Sequence, residues 1–397
     1  MLLWIQSQPL RVISIIFAGS SLAYYMLMTT LAIYLHSYLK LTVATVGTII
    51  FGYVFISRLA KVILGPWFDR LSLRTSLTFS LSIAAAGFFL AATDNLIGIL
   101  APWCLCIAGI GISSVVLLTQ SCIARQKQAL LNEVHAPADY SFIYVLMHSS
   151  ALVAPAIGFT IMRHFPGGLY WIIGGFYLLL LLFCRLFLPE PQLPPPATTN
   201  KAVITDLLTA FRKQHYCRFL LINSLLWMLY AQLFSTIPLY IREILGEKSN
   251  LTLFYMVEAL TVMMLQHWVS TYINQHIQAY FHQVALVIFS LSFLLIYYAH
   301  SMVLILLAGC LFAFALMIFM PCSNAVNAAF AEPGRFATYF GLVSLSATLG
   351  DSLGSALGMT GFNLLLQSGM LRDYFLWLAG ITVALAFLRR NPYNCLL

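Results

Sequence analysis

The feature that most restricts how this chain can fold is a succession of about twelve apolar stretches, each roughly 17–25 residues long. Helices satisfy their own backbone hydrogen bonds in lipid, so stretches of this length are expected to cross a bilayer as α-helices. Only 8% of the 397 residues are charged, against about 25% in soluble domains. The sequence therefore predicts an all-α membrane protein with twelve transmembrane helices. The stretches begin near Leu10, Val43, Leu73, Leu96, Ser141, Gly168, Cys217, Asn250, Gln283, Ser301, Ala337 and Leu371.

The last six stretches repeat the spacing of the first six after a shift of roughly 200 residues. This repeat predicts two pseudo-symmetric six-helix halves, residues 1–188 and 217–397, joined by a cytosolic Pro-rich linker at 189–216. The proline cluster of the linker is expected to be extended and semi-rigid, because proline is not accommodated inside a helix. A short amphipathic stretch follows the cluster.

The distribution of basic residues predicts the orientation in the membrane. With a cytosolic N-terminus, fourteen of the 20 Lys and Arg residues fall on the inner side and five on the outer side. We therefore expect both termini in the cytosol, in a bacterial inner membrane. The formal net charge of +8 follows from this topology, so no nucleic-acid partner is expected.

The segment between the second and third spans carries a concentrated set of charges, Gly65-Pro-Trp-Phe-Asp69-Arg70-Leu-Ser-Leu-Arg74. Asp69 follows the end of a predicted helix, where the helix dipole disfavours an isolated carboxylate. It therefore needs a partner, either a neighbouring Arg or the N-terminus of another helix. On composition alone, a charged turn in a cytosolic loop is the simpler interpretation.

The same segment resembles the G-x-x-x-D-R-x-G-R-[RK] loop of the major facilitator superfamily. Gly65, Asp69, Arg70 and Arg74 match this pattern, whereas the Ser-Leu pair before Arg74 departs from it. In that family the loop is a cytosolic latch between the second and eleventh spans that holds the outward-open state. The resemblance implies the two-half fold of the superfamily and assigns the latch role to these four residues.

The fifth span contains Ala154-Pro155-Ala-Ile-Gly158-Phe159, which resembles the G-P-x-x-G-G element of the superfamily's twelve-span drug:proton antiporters. The first and last residues depart from that element. An ordinary membrane-helix kink is the alternative interpretation of Pro155 and Gly158, because proline and glycine are common in spans. Short segments of the second half also resemble multidrug-resistance members of the superfamily.

Three ionisable residues fall well inside predicted spans: Arg58 in the second, Glu258 in the eighth and Asp351 in the eleventh. Each costs at least about 2.5–3.5 kcal/mol at the centre of a lipid-facing helix, so each is expected to face a cavity or a partner. We predict that Glu258 and Asp351 couple transport to protons. Asp351 is alternatively a hydrogen-bonded helix contact, and Arg58 either reaches the interface or pairs with Asp351.

His148 of the fifth span also has two interpretations. It titrates near neutral pH if it is accessible to protons, and otherwise it is a buried hydrogen-bond donor.

The resemblance also implies which residues line the substrate cavity, because the first, fourth, seventh and tenth spans surround it in this superfamily. Aromatic and amide groups there form an adaptable surface for amphipathic compounds. Helix packing is the alternative for any single one of them. The predicted cavity residues are Tyr24, Tyr25, Gln120, Asn223, Trp227, Gln232, Asn324, Asn327 and Arg58.

These features together predict a proton-coupled secondary transporter that exports amphipathic or cationic small molecules by alternating access. The alternative is a superfamily transporter, exporter or importer, for a defined metabolite such as a carboxylate siderophore, organic acid or amino-acid-like solute. The sequence has no Walker A motif and no nucleophile–base or His/Glu metal cluster. We expect no enzyme activity, cofactor or metal, and a monomer whose partners are its substrate, protons and the lipid bilayer.

Overall fold

Each apolar stretch of the sequence folds as helix in the computed structural model, which describes residues 7–93, 101–131, 136–189, 201–246, 250–276 and 280–387. Polar side chains mark several helix starts, because the first N–H groups of a helix lack partners within it. Ser7, Thr42 and Ser72 each accept a hydrogen bond from a backbone N–H three residues ahead. The described residues contain no β-strand.

The helices of the first half follow the first six predicted spans. They are α1 (Gln8–Ile33), α2 (Val43–Phe68), α3 (Leu73–Ala92), α4 (Ala101–Leu131), α5 (Pro137–His164) and α6 (Leu169–Phe187). A five-residue π-helix, Tyr34–Tyr38, extends α1, and a single 3₁₀ turn, Pro166–Gly168, precedes α6.

The second half adds six spans and one amphipathic helix. The amphipathic stretch after the proline cluster is α7 (Lys201–Arg212), while residues 190–200 of the predicted linker lie outside the described residues. The seventh span is divided between α8 (Gln214–Ala231) and α9 (Thr236–Leu245). The remaining helices are α10 (Leu251–His276), α11 (Phe281–Tyr297), α12 (Met302–Phe330), α13 (Phe336–Gln367) and α14 (Asp373–Phe387).

Eight helical segments of the described chain are long and apolar enough to cross a membrane, judged by length and composition. The segment Gln214–Leu245, which combines α8 and α9, is one of them. The shorter helices α11 and α14 are also apolar. The twelve-span count is completed by α10 and α13, which have 26 and 32 residues and contain the ionisable residues Glu258 and Asp351.

The chain divides into two compact units that do not follow the order of the sequence. The first unit comprises Met1–His135, Ser149–Ala210 and Phe330–Leu345, and the second comprises Ala136–His148, Phe211–Ala329 and Ser346–Leu397. Residues of α5 and α13 therefore belong to both units.

Within the first unit, α3 packs against α4 and α6, and α2 packs against α4. Glycines allow the closest of these approaches. A Cβ on Gly87 of α3 would collide with the backbone of Ala108 in α4, and a Cβ on Gly111 of α4 would collide with the α3 backbone at Ser80. Small residues let helix backbones touch in a membrane, where van der Waals packing replaces the hydrophobic effect as the driving force.

Within the second unit, a glycine stripe on α13 packs against α8. A Cβ on Gly354 would lie 2.5 Å from the Met228 carbonyl oxygen, and a Cβ on Gly358 would lie 2.5 Å from the Gln232 side chain. Gly350, one turn earlier, meets the Ser224 carbonyl. A spacing of four residues keeps the three glycines on one face of the helix, so α13 and α8 run in direct backbone contact.

Candidate functional site

Asp69 lies at the centre of a polar cluster in the first unit. It is the C-terminal cap residue of α2, and its side chain is only 6% exposed. One carboxylate oxygen, Oδ1, accepts hydrogen bonds from Arg125 Nη2 at 2.7 Å and from the Ala337 backbone N–H at 2.9 Å. The other, Oδ2, accepts from both the backbone N–H and the Oγ1 hydroxyl of Thr338, each at 2.7 Å.

These contacts make Asp69 an N-terminal cap for a helix distant in the sequence. The helix α13 begins at Phe336, so the Ala337 and Thr338 N–H groups belong to its first turn and lack acceptors within the helix. The positive end of the helix dipole also favours a carboxylate there. Burial raises the pKa of the Asp69 carboxyl above its ordinary value, and the Arg125 guanidinium and the Thr338 and Ala337 donors counteract that rise.

Two glycines bring α2 and the start of α13 close enough for this capping. A Cβ on Gly65 would lie 2.6 Å from the Ala337 carbonyl oxygen, and a Cβ on Gly341 would lie 2.5 Å from the Lys61 carbonyl oxygen. Each helix therefore presents a glycine to the backbone of the other. Any side chain at Gly65 would push Asp69 away from the α13 N-terminus.

The arginines of this segment have different positions. Arg74 donates from Nη2 to the Arg185 carbonyl oxygen at 2.5 Å, and Arg70 is half-buried. The partner of Asp69 is Arg125 at the end of α4, which the sequence analysis counted only among the basic residues of the inner side. The signal for it was available, since Arg125 is a cation at the end of an apolar helix and Asp69 needed one.

A second buried carboxylate, Glu258 of α10, lies in the second unit. Its side chain is 7% exposed, and its Oε2 atom lies 3.9 Å from Nδ1 of His148 in α5. The other oxygen, Oε1, has no hydrogen-bond partner within the described structure. A buried carboxylate without a full set of donors is energetically costly, which is typical of groups kept for function.

The same part of α5 makes two more polar contacts within the second unit. Ser141 Oγ lies 3.5 Å from Nδ1 of His267 in α10, and the Asn324 amide of α12 donates to the Tyr144 hydroxyl at 2.7 Å. Asn324, one of the predicted cavity residues, is thereby paired with a tyrosine that the sequence analysis did not single out.

The other two intramembrane charges differ from Glu258 in their burial. Asp351 is half-buried, lies in the second unit and follows Gly350 of the glycine stripe on α13. Arg58 is half-buried in α2 and lies in the first unit. Neither is enclosed as completely as Glu258.

Two of the predicted cavity amides are engaged in helix packing. The Asn223 amide donates to Ser346 Oγ at 2.6 Å and accepts from Ser323 Oγ at 2.5 Å. Gln232 donates to the Met228 and Gly354 carbonyls, and its oxygen accepts from the Thr236 and Tyr374 hydroxyls. Both side chains are almost completely buried and satisfied, so their contacts bind helices of the second unit to one another.

Asn327 is different, because only one end of its amide is satisfied. Its Oδ1 atom accepts from the Tyr216 hydroxyl at 3.0 Å, whereas Nδ2 has no partner in the described structure and the residue is fully buried.

The remaining predicted cavity residues are half-buried. Tyr24 and Tyr25 form an edge-to-face pair with centroids 5.2 Å apart, and Gln120 lies in α4 of the same unit. Trp227 of the second unit packs edge-to-face on Tyr230 and Phe319.

The antiporter-like element lies inside the unbroken helix α5. Pro155 removes one backbone donor from that helix. Gly158 faces α1, where a Cβ would lie 3.2 Å from the Met26 carbonyl oxygen and 3.2 Å from a Thr30 methyl carbon. Gly158 therefore has a packing role in the first unit.

No group of three or more His, Cys, Asp and Glu side chains that could hold a metal ion occurs among the residues described here. The polar clusters are instead built from one carboxylate each, enclosed by apolar helices. An all-helical membrane protein with isolated buried carboxylates and glycine-packed spans has the architecture of a transporter.

Comparison with known proteins identifies the family. The model of the Major Facilitator Superfamily matches residues 13–355, so the chain belongs to this superfamily and is an integral membrane transporter. Among curated proteins, the chain is similar to the multidrug resistance protein MdtH of Proteus mirabilis (strain HI4320). The two are 22% identical over 298 residues, which cover 74% of this chain and 70% of MdtH.

Solved structures share the fold at low sequence identity. The human organic anion transporter MFSD10 (TETRAN) has a TM-score of 0.77 and 18% identity, covering 96% of this chain and 98% of that one. The transporter FucP in its outward conformation has a TM-score of 0.74 and 13% identity, covering 96% and 97%. These neighbours are transporters rather than enzymes, and the predicted superfamily fold with twelve spans is confirmed.

Proposed function

We propose that this chain is a proton-coupled exporter of amphipathic or cationic small molecules in a bacterial inner membrane, with both termini in the cytosol. The similarity to a multidrug resistance protein supports this substrate class. The proposed moving elements are the two six-helix halves, residues 1–188 and 217–397, which rock about a midplane site and expose it to one side at a time.

The observation that carries the proposal is the state of Glu258. This carboxylate is 7% exposed and has one oxygen without a donor. A charge in such a place is retained at a cost of several kcal/mol, which selection tolerates where the charge does work. Protonation from the outer side followed by release to the cytosol neutralises the carboxylate during half of the cycle and couples the gradient to transport.

In the proposed cycle the Asp69 cluster is the cytosolic latch. The capping of α13 by Asp69, together with the Arg125 contact, supports a role in stabilising one end state of the cycle. Gly65, Arg70 and Arg74 belong to the same loop. Asp351 is a second proposed proton acceptor, and the half-buried Tyr24, Tyr25, Gln120, Trp227 and Arg58 are the proposed contacts for substrate.

A metabolite transporter is the second candidate, because a similar fold occurs in an organic anion transporter and in a fucose:proton symporter. An anionic substrate would require a cation near the substrate. Arg58 is the basic residue within a proposed substrate-lining set, so this candidate predicts that Arg58→Gln abolishes transport of an anion.

The test uses purified protein in proteoliposomes with a pH-sensitive dye in the lumen. When a lipophilic cation such as ethidium enters the lumen by antiport, protons leave and the lumen becomes alkaline. Symport of an organic acid instead acidifies the lumen. Alkalinisation with cations and no response to a panel of carboxylates supports the proposal, and the opposite pattern favours the metabolite transporter.

Glu258→Gln provides the site-specific arm of the test. We expect this variant to lose transport driven by a pH gradient while it retains substrate exchange at constant pH, because the amide still fills the site but carries no proton. Glu243→Gln is the matched control, since Glu243 is an exposed residue of α9. Full gradient-driven transport by Glu258→Gln would remove this residue from the coupling mechanism.

A further inference from the structure

One face of α5 carries three polar residues that contact α10 and α12 within the second unit. Ser141, Tyr144 and His148 are spaced three and four residues apart, which places them on the same side of a helix. They meet His267, Asn324 and Glu258, respectively. The pair of His148 and Glu258 is the member of this series with opposite charges when the imidazole is protonated.

We infer that His148 is the charge partner of Glu258 in proton coupling, and that binding of a proton to Glu258 breaks this pair and weakens the contacts of α5 with α10 and α12. The inference rests on the proposed function, because it assigns the residue that positions Glu258. His148 is a positioning residue, since it acts through the carboxylate and not on the substrate.

The geometry distinguishes a charge pair from a shared hydrogen bond. The distance of 3.9 Å between Nδ1 and Oε2 is within reach of an ion pair but longer than a hydrogen bond. Both side chains are buried, with 11% and 7% exposure, so water screens their attraction poorly. The open oxygen of Glu258, Oε1, is free to receive a proton while Oε2 faces the imidazole.

Other titratable groups near Glu258 come from two helices. Tyr255, one turn earlier on α10, interacts with Glu258 electrostatically and donates its hydroxyl to the Leu233 carbonyl at 3.1 Å. On α12, Cys310 lies 3.5 Å from the Thr261 hydroxyl, one turn further along α10. Neither group brings a positive charge, so His148 is the source of the cation in this cluster.

The proton balance of the step is simple. The pair begins as a carboxylate and an imidazolium, and one proton from outer water binds to Oε1, forming a single O–H bond. The product is a neutral carboxylic acid beside an imidazolium, which has lost its attraction to α10. When the site opens to the cytosol the same O–H bond breaks, the proton passes to water, and the charge pair forms again.

The test measures the pH dependence of ethidium transport in proteoliposomes. The cation of His148 favours the ionised carboxylate, so its removal in His148→Gln is expected to move the pH of half-maximal transport upward by about 1–3 units, the usual effect of an opposite charge at this distance. His148→Lys restores a cation and is expected to keep the midpoint close to that of the wild type. His300→Gln is the matched control, because His300 is exposed outside the helices.

The outcomes separate this inference from the proposed function. An unmoved midpoint in His148→Gln, in a protein where Glu258→Gln abolishes gradient-driven transport, overturns the role of His148 alone. Gradient-driven transport that persists in Glu258→Gln overturns the proposed coupling itself. If His148→Gln does not fold, His148→Asn is measured in the same way, and an unmoved midpoint in that variant also refutes the inference.

Discussion

Replacing Asp69 by Asn tests the capping of α13 most directly. The carboxylate accepts four hydrogen bonds, from Arg125, the Ala337 N–H and both donors of Thr338. The amide of Asn has one acceptor oxygen, and its NH₂ group would face donors, so at least two of these bonds are lost. Hydrogen bonds to charged groups contribute about 1.5–3 kcal/mol each.

The net effect is smaller than the sum, because Arg125 is 29% exposed and becomes hydrated when its partner is removed. We therefore expect Asp69→Asn to destabilise the capped arrangement by about 2–4 kcal/mol. At about 1.4 kcal/mol per tenfold change, the equilibrium for opening this contact shifts by roughly 30- to 700-fold.

Backbone hydrogen exchange at Ala337 and Thr338 measures this opening directly. Both N–H groups donate to Asp69, so their exchange rates are expected to rise by the same factor if opening limits exchange. Thr338→Val, which removes only the hydroxyl donor, should raise exchange by about two- to tenfold. Asp373→Asn, at the first turn of α14, is the control and should leave this region unchanged.

Exchange in Asp69→Asn within twofold of the wild type would refute the reasoning that the carboxylate holds the first turn of α13. The same variant is expected to slow transport turnover without altering substrate selectivity, because Asp69 contacts the end of a helix and not the proposed substrate residues. Proteoliposome transport rates for two substrates measure both quantities.

Two further predictions concern packing. Gly65→Ala should weaken the contact of α2 with α13 by about 1–3 kcal/mol, since its Cβ would lie 2.6 Å from the Ala337 carbonyl oxygen; Gly47→Ala on the same helix, with open space around it, should be neutral or slightly stabilising in a thermal unfolding assay. Gln232→Met should lower the thermal midpoint while leaving the order of preferred substrates unchanged, because all of the Gln232 partners are protein groups. A changed substrate order in Gln232→Met would return this residue to the substrate site.

The positions of the spans were predictable from sequence because hydrophobicity over a helix length is a local property. Each predicted stretch corresponds to described helix, and the departure of Ser72 from the superfamily loop has a local explanation, since Ser72 caps α3. The break between α8 and α9 was missed, because the stretch from Gln214 to Leu245 is continuously apolar and gives no composition signal there.

The partners of the buried charges were less predictable. Asp69 and Thr338 are 269 residues apart, and His148 and Glu258 lie on different predicted halves. A helix pattern indicates which residues face inward but not which helix they meet. The requirement for a partner at Asp69 followed from elementary electrostatics, whereas the choice of Arg125 depended on the packing of α4 beside α2.

The distinction between satisfied and unsatisfied polar groups divides the buried candidates more sharply than residue type does. Asn223 and Gln232 have partners at both ends of their amides, so their burial is explained by helix packing. Glu258 and Asn327 each keep one polar atom without a partner in the described structure. A buried polar atom left unpaired costs about 1–3 kcal/mol. Stability alone gives no reason to retain such groups, so Glu258 and Asn327 are the residues at which a proton, water or substrate is expected to complete the site.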